Sequence, residues 1–61
     1  MSIKKGQVYQ ERDKRAKGRC VRTLQEEMRG KRKFWRVANV VSGRETFIRP
    51  DILLSRFSLL D

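Results

Sequence analysis

Histidine is absent from this chain of 61 residues, and cysteine occurs once, at Cys20. A zinc site needs several histidine or cysteine ligands and an internal disulfide needs a second cysteine, so both are excluded. The single cysteine and the absence of a secretory segment favour a reducing, cytoplasmic setting. No apolar run is long enough to span a membrane.

Acidic residues are also scarce, since seven Asp and Glu stand against sixteen Lys and Arg, for a net charge of +9. The whole excess lies in residues 1–36, which carry thirteen basic and four acidic side chains, whereas residues 37–61 carry three of each. A surface with such an excess attracts polyanions. We therefore expect nucleic acid, DNA or RNA, as the partner, with an acidic protein as the alternative.

Catalytic motifs are missing as well. Cys20 has no histidine to activate it, and the side chains of Glu26 and Glu27, being adjacent, do not face each other. No phosphate-binding loop, dinucleotide-binding motif or metal motif occurs. We expect no enzymatic activity and no cofactor, and we interpret Cys20 as a small core residue.

Length and composition predict one small domain. Apolar residues make up only 38% of the chain, but aromatic and β-branched side chains concentrate after residue 34, which favours a folded chain over disorder. We expect residues 1–5 to fray and residues 6–61 to form the domain.

Short stretches rich in β-branched and aromatic residues, separated by turn residues, predict an all-β fold of four to five short strands. The predicted strands are residues 6–12, 19–24, 34–41, 45–49 and 56–60. Residues 19–28 also show helical spacing of Val21, Leu24 and Met28, so a helix is the alternative there. We favour the strand because of its length and its β-branched residues.

Turn and cap residues support the same division of the chain into strands and a helical turn. Gly43, in Ser42-Gly43-Arg44, can take the positive φ of a hairpin turn. Pro50 ends the strand before it, because proline donates no hydrogen bond to a sheet. A short helical turn over residues 51–55 follows, with Asp51 placed to cap it.

This order of strands, basic loop, glycine turns and late helical turn resembles a small SH3-like barrel of the KOW or Tudor type. Several short pieces are also similar to short uncharacterised proteins of phages and actinobacteria. These pieces are Gly6-x-x-Tyr9, Asp13-x-Arg15, Arg19-Cys20-Val21-Arg22, Val37-Ala38-Asn39-Val40 and Gly43-Arg44-x-Thr46-x-Ile48. The chain departs from them by a longer second strand and turn. The resemblance implies a barrel that binds nucleic acid, ribosomes, polymerase or peptides, in the host cytoplasm if phage-encoded.

Two basic loops, residues 14–19 and 29–33, are the candidate binding segments. Gly18 and Gly30 would let backbone N–H groups approach a phosphate, and Arg can bind phosphate oxygens through two parallel hydrogen bonds. The alternative is a solvated surface that keeps a small protein soluble. The candidate nucleic-acid contacts are Lys14, Arg15, Lys17, Arg19, Arg22, Arg29, Lys31, Arg32, Lys33, Trp35 and Arg36.

Phe34 and Trp35 point to opposite faces of a strand, so at most one of them enters the core. We favour Trp35 as a core residue, with stacking on a base as the alternative. Residues 52–60 contain six large apolar side chains, of which a core would absorb about four. Any remainder would support a homo-oligomer or docking to another protein.

The sequence therefore predicts a non-enzymatic module that binds the phosphate backbone of nucleic acid with weak sequence specificity. A small phage or bacterial interaction factor that docks to an acidic partner protein is the alternative. A component of a larger ribonucleoprotein or virion assembly would carry the same charge signature.

Overall fold

The computed structural model describes residues 2–60, which form one five-stranded antiparallel sheet with a short helix. Its elements are β1 (Val8–Glu11), a 3₁₀ turn (Lys14–Ala16), β2 (Cys20–Arg29), β3 (Arg32–Asn39), β4 (Glu45–Ile48), α1 (Pro50–Arg56) and β5 (Phe57–Leu59). The strand order is β4-β3-β2-β1-β5, so β1 to β4 form a meander and β5 returns to pair with β1. Within residues 2–60 no pairing joins β4 to β5, and the sheet is open.

The predominance of strands is confirmed, and so is a strand rather than a helix over residues 20–28. The predicted cap is wrong. Helix α1 begins at Pro50, its N-cap residue is Arg49, and no side chain caps it. Proline, whose φ is already helical, occupies the first position, which leaves Asp51 inside the first turn with its carboxylate 3.6 Å from Arg49 Nε.

The core lies on one face of the sheet, beneath α1. Alternation along β3 turns Trp35 and Val37 to this face, and Leu53 of α1 is fully buried with them. Trp35 is 6% exposed, which confirms its assignment to the core. The buried apolar set is Tyr9, Val21, Trp35, Val37, Leu53 and Phe57.

The C-terminal segment contributes less to the core than the sequence predicts. Of its six large apolar residues, Leu53 and Phe57 are buried and Ile52 is half-buried. Leu54, Leu59 and Leu60 remain exposed. The expectation of about four core residues is wrong, because the seven-residue α1 turns one side toward the sheet and because Leu59 lies on the edge strand β5, with Leu60 just after it.

Buried Thr23 anchors the N-terminal segment. Its hydroxyl donates to the Lys4 carbonyl at 2.6 Å and accepts from the Gln7 N–H at 2.9 Å. Ile3 packs against the core. Ile3 and Lys4, within the segment predicted to fray, thus contact the rest of the domain, and Met1 lies outside the described residues.

A β-bulge in β2 changes which side chains share a face. Thr23 is opposite Val37, and Gln25 is opposite Arg36, so Leu24 is an extra residue between them. Before the bulge, odd-numbered β2 residues face the core. After it, the even-numbered residues point to that side, and Glu27 and Arg29 point away from it.

Leu53→Ala is expected to destabilise the domain by about 2–5 kcal/mol, because it opens a cavity where the helix meets the sheet. The neighbouring Leu54→Ala is the matched control, since Leu54 is 39% exposed whereas Leu53 is 0% exposed. Urea unfolding followed by Trp35 fluorescence measures both. Equal losses of stability would contradict the packing described here.

Candidate polyanion-binding surface

Every carboxylate among residues 2–60 already has a polar partner. Asp13 accepts a hydrogen bond from the Arg15 N–H at 2.9 Å. The ion pairs are Glu11 with Arg19, Glu26 with Lys33, Glu27 and Glu45 with Arg36, and Asp51 with Arg49. Four of the sixteen Lys and Arg side chains therefore pair with a carboxylate in this part of the chain, and twelve do not.

The β1–β2 loop takes its shape from local hydrogen bonds. Asp13 caps the 3₁₀ turn, whose last residue is Ala16, and the Arg19 N–H then donates to the Ala16 carbonyl at 3.0 Å. Lys17 and Gly18 both have positive φ, of 53° and 76°. An added Cβ at Gly18 would lie 2.9 Å from Gln10 Nε2, so a larger residue would displace that side chain. The result is a compact loop that leaves Lys14, Arg15 and Lys17 exposed.

The β3–β4 loop lies beside the β1–β2 loop, at the same end of the sheet. The Val40 N–H donates to the Cys20 carbonyl at 3.0 Å. Asn39 Oδ1 accepts from the N–H groups of Val41 and Ser42, each at 2.9 Å, which fixes the turn. Cys20 is half-buried here, with Sγ 3.3 Å from the Gly18 carbonyl oxygen.

Two clefts run between these loops. One, of about 420 Å³, is lined by Arg19, Arg44 and Ser42 among others. The second, of about 480 Å³, adjoins it and includes Lys17 and Gly18 in its lining. We use the name loop cluster for the cations of these two loops, Lys14, Arg15, Lys17, Arg19 and Arg44, of which Lys17, Arg19 and Arg44 line the clefts. Arg19 is held by Glu11, whereas the others have no carboxylate partner among residues 2–60.

The second basic segment forms the β2–β3 turn. Arg29 pairs with Arg32 across a two-residue turn, in which Gly30 has a φ of 66°. Lys33 Nζ lies 3.7 Å from Glu26 Oε2. We use the name hairpin cluster for Arg29, Lys31, Arg32 and Lys33.

The two clusters lie at opposite ends of the sheet. β2 runs from one to the other, and its ten residues span about 30 Å. Antiparallel connectivity requires this separation, because successive turns of a meander alternate between the two ends. The predicted loop residues therefore form two basic regions rather than a single one.

Three other predicted contacts lie along the strands between these regions. Arg22 is exposed and has no carboxylate partner within the described residues. Arg36 is held between Glu27 and Glu45, with its Nε at 3.2 Å and 3.8 Å from their carboxylate oxygens. Trp35 is in the core and is not available for stacking on a base, which corrects its place among the predicted contacts.

Two residues outside the predicted set belong to this surface. Arg44 joins the loop cluster only because the β3–β4 turn folds back to the β1–β2 loop. Phe47 is 38% exposed, and the Arg29 guanidinium carbon lies 4.6 Å from its ring centroid. No local pattern marks either residue, since both positions depend on pairing between distant segments.

The chemistry of the described residues is that of charge and hydrogen bonding. Among residues 2–60 there is no group of three or more His, Cys, Asp or Glu that could hold a metal ion. Burial raises the pKa of Tyr9 above its ordinary value of 10.0, and its hydroxyl donates to Gln7 Oε1 at 3.0 Å. The one α-helix of residues 2–60 has seven residues and falls well short of a membrane span.

Comparison with known protein families, with curated proteins and with solved structures found no match to this chain. The surface described above therefore rests on the chain's own residues and geometry.

Arg36→Ala is expected to lower the free energy of unfolding by about 1 kcal/mol, because Glu27 Oε2 is buried and would lose its cation. Lys33→Ala is the matched control. Its partner Glu26 is exposed, and loss of such a pair costs less than about 0.5 kcal/mol. Thermal and urea unfolding measure the difference, and an equal effect of the two changes would count against a structural role for Arg36.

Proposed function

We propose that this protein is a non-enzymatic nucleic-acid-binding module that contacts the phosphate backbone through the loop cluster and the hairpin cluster. One observation carries the proposal: twelve of sixteen cations have no carboxylate partner within residues 2–60, while all six described carboxylates are engaged. The surplus charge is thus available for phosphate. A polyanion would release its counterions on binding, which favours association.

Hydrogen bonds that Asn and Gln side chains already make within the protein support weak sequence specificity. Asn and Gln read adenine edges through their amide groups. Asn39 accepts two backbone hydrogen bonds, Gln10 donates to the Gly18 carbonyl, and Gln7 Oε1 accepts from the Lys4 N–H and the Tyr9 hydroxyl. Of the four Asn and Gln residues only Gln25 is then left without such a bond. Contacts to phosphate consequently outnumber any contacts to bases.

The separation of the clusters bears on the length of the ligand. About 30 Å of β2 lies between them, close to one turn of B-form duplex, which is about 34 Å. A ligand of about ten base pairs would contact both regions, whereas a much shorter one would contact a single region. Affinity should therefore rise with length up to about one helical turn.

For the fold, we propose an SH3-like barrel architecture that is left open between its two edge strands. The four-strand meander, the helix before the last strand and the return of β5 to β1 support it. The free thiol of Cys20 supports a cytoplasmic location.

A second candidate function is docking to an acidic partner protein or to a second copy of this chain. A groove of about 380 Å³ favours it, lined by Tyr9, Arg12, Leu54, Phe57 and Leu59 among others. Salt separates self-association from binding to nucleic acid. Self-association through apolar side chains would strengthen as salt screens the repulsion between cationic copies, whereas binding to nucleic acid would weaken. A stoichiometric acidic protein that stays bound after nuclease treatment would favour the partner protein.

For nucleic-acid binding, the slope of log affinity against log salt is expected to become less steep by about two in the double variant Lys14→Ala/Lys17→Ala. Lys4→Ala/Lys5→Ala is the matched control, because it removes two exposed lysines that also lack an ion pair but lie outside both clusters. Fluorescence anisotropy with a labelled duplex of about ten base pairs measures both variants.

Two results would overturn the proposal. The first is an absence of binding to DNA and RNA at low salt. The second is an equal change of slope in the two double variants, which would mean that net charge alone attracts the ligand and that the loop cluster has no particular role.

A further inference from the structure

The sheet face opposite α1, which we name the outer face, is not covered by any element of residues 2–60. Helix α1 packs on the core face through Leu53. Strand alternation and register place on the outer face Arg22, Gln25, Glu27 and Arg29 of β2, Arg32, Phe34, Arg36 and Ala38 of β3, and Glu45 and Phe47 of β4. This face therefore presents both cations and aromatic rings to solvent.

Two aromatic rings lie next to each other on this face. Phe47 is opposite Arg36, and Phe34 is two residues from Arg36 on the same strand. Phe34 and Phe47 are therefore diagonal neighbours on adjacent strands, about 7–8 Å apart. Phe34 is half-buried and Phe47 is 38% exposed, so both rings are only partly covered.

The ring of Phe47 already binds a planar cation. The Arg29 guanidinium carbon is 4.6 Å from the ring centroid, within the range of a cation–π contact. Arg29 has no carboxylate partner among residues 2–60 and its side chain is exposed. A nucleobase can take its place on the ring, and the displaced guanidinium can then bind a phosphate.

Charges around the rings favour a polyanion over a neutral partner. Arg22, Arg29 and Arg32 lack carboxylate partners in the described chain. The two carboxylates of this face, Glu27 and Glu45, are both directed to Arg36. Arg29 and Arg32 lie at the β2–β3 turn next to the aromatic pair, and Arg22 lies farther along β2, opposite Ala38.

We propose that the outer face binds single-stranded nucleic acid, with bases stacked on Phe47 and Phe34 and with Arg22, Arg29 and Arg32 on the phosphates. This proposal rests on the proposed nucleic-acid-binding function and assigns single strands to the outer face, whereas the two clusters contact the phosphate backbone of either form. Single strands expose the flat faces of their bases, whereas a duplex buries them in its own stack. The two aromatic rings should thus contribute to binding of single strands alone.

The experiment compares Phe47→Leu, Phe47→Trp and Met28→Ala with the unchanged protein. Leucine keeps an apolar side chain but removes the aromatic ring, and tryptophan keeps a ring for stacking. Met28 is the control, because it is 62% exposed and lies on the opposite face of the sheet. The probes are a labelled oligothymidylate of about 12 nucleotides and a duplex of equal length. Circular dichroism and thermal unfolding establish that each variant is folded.

Phe47→Leu is expected to weaken binding to the single strand by about 5-fold or more, the range for loss of one stacked base. Binding to the duplex should change by less than about twofold, Phe47→Trp should retain single-strand affinity, and Met28→Ala should leave both affinities unchanged. An unchanged single-strand affinity in Phe47→Leu would overturn the stacking proposal and leave the proposed function intact. An equal loss of affinity for the single strand and for the duplex in Phe47→Leu would also overturn the stacking proposal and leave the proposed function intact. Failure of the unchanged protein to bind either probe at low salt would overturn both proposals.

Discussion

Burial on one side of the sheet is the constraint on which the rest of this structure depends. Six apolar side chains form the core, and one of them, Leu53, connects α1 to Trp35 and Val37. A domain of this size has too few apolar residues to cover both faces of a five-stranded sheet. Polar and charged side chains consequently occupy the other face and both ends.

The polar face and the ends of the sheet are electropositive because the few carboxylates are already engaged. Each of the six described acidic residues is committed to an ion pair or a cap, and Arg36 takes two of them. Arg36 acts as a structural cation that holds three strands together at their outer face, because Glu27 and Glu45 come from the strands on either side of it. Apart from Arg19 and Lys33, the cations of the two clusters have no carboxylate partner among residues 2–60. Removing these unpaired cations should therefore affect binding more than stability.

Strand edges also shape what the surface can bind. The Arg12 guanidinium donates to the carbonyls of Leu54 and Phe57, at 3.0 Å and 3.1 Å, and the Phe57 N–H donates to the Leu53 carbonyl. These bonds satisfy the outward N–H and carbonyl of Phe57, the first residue of β5, and limit pairing with another strand there. The apolar groove beside β5 remains, which is why the second candidate function is docking through side chains rather than strand addition.

Local chemistry of the sequence by itself determined the strand-rich class, the positions of the turns and the core role of Trp35. Alternating β-branched and aromatic residues, glycines with positive φ and the single proline act over a few residues, so they can be read directly. Tertiary structure alone decided that the two basic loops lie at opposite ends and that Arg44 and Phe47 join the surface. The bulge at Leu24 reverses the alternation of β2, and with it the side on which Glu27 and Arg29 lie. Its position depends on pairing with β3, and such long-range pairing leaves no mark in the neighbouring residues.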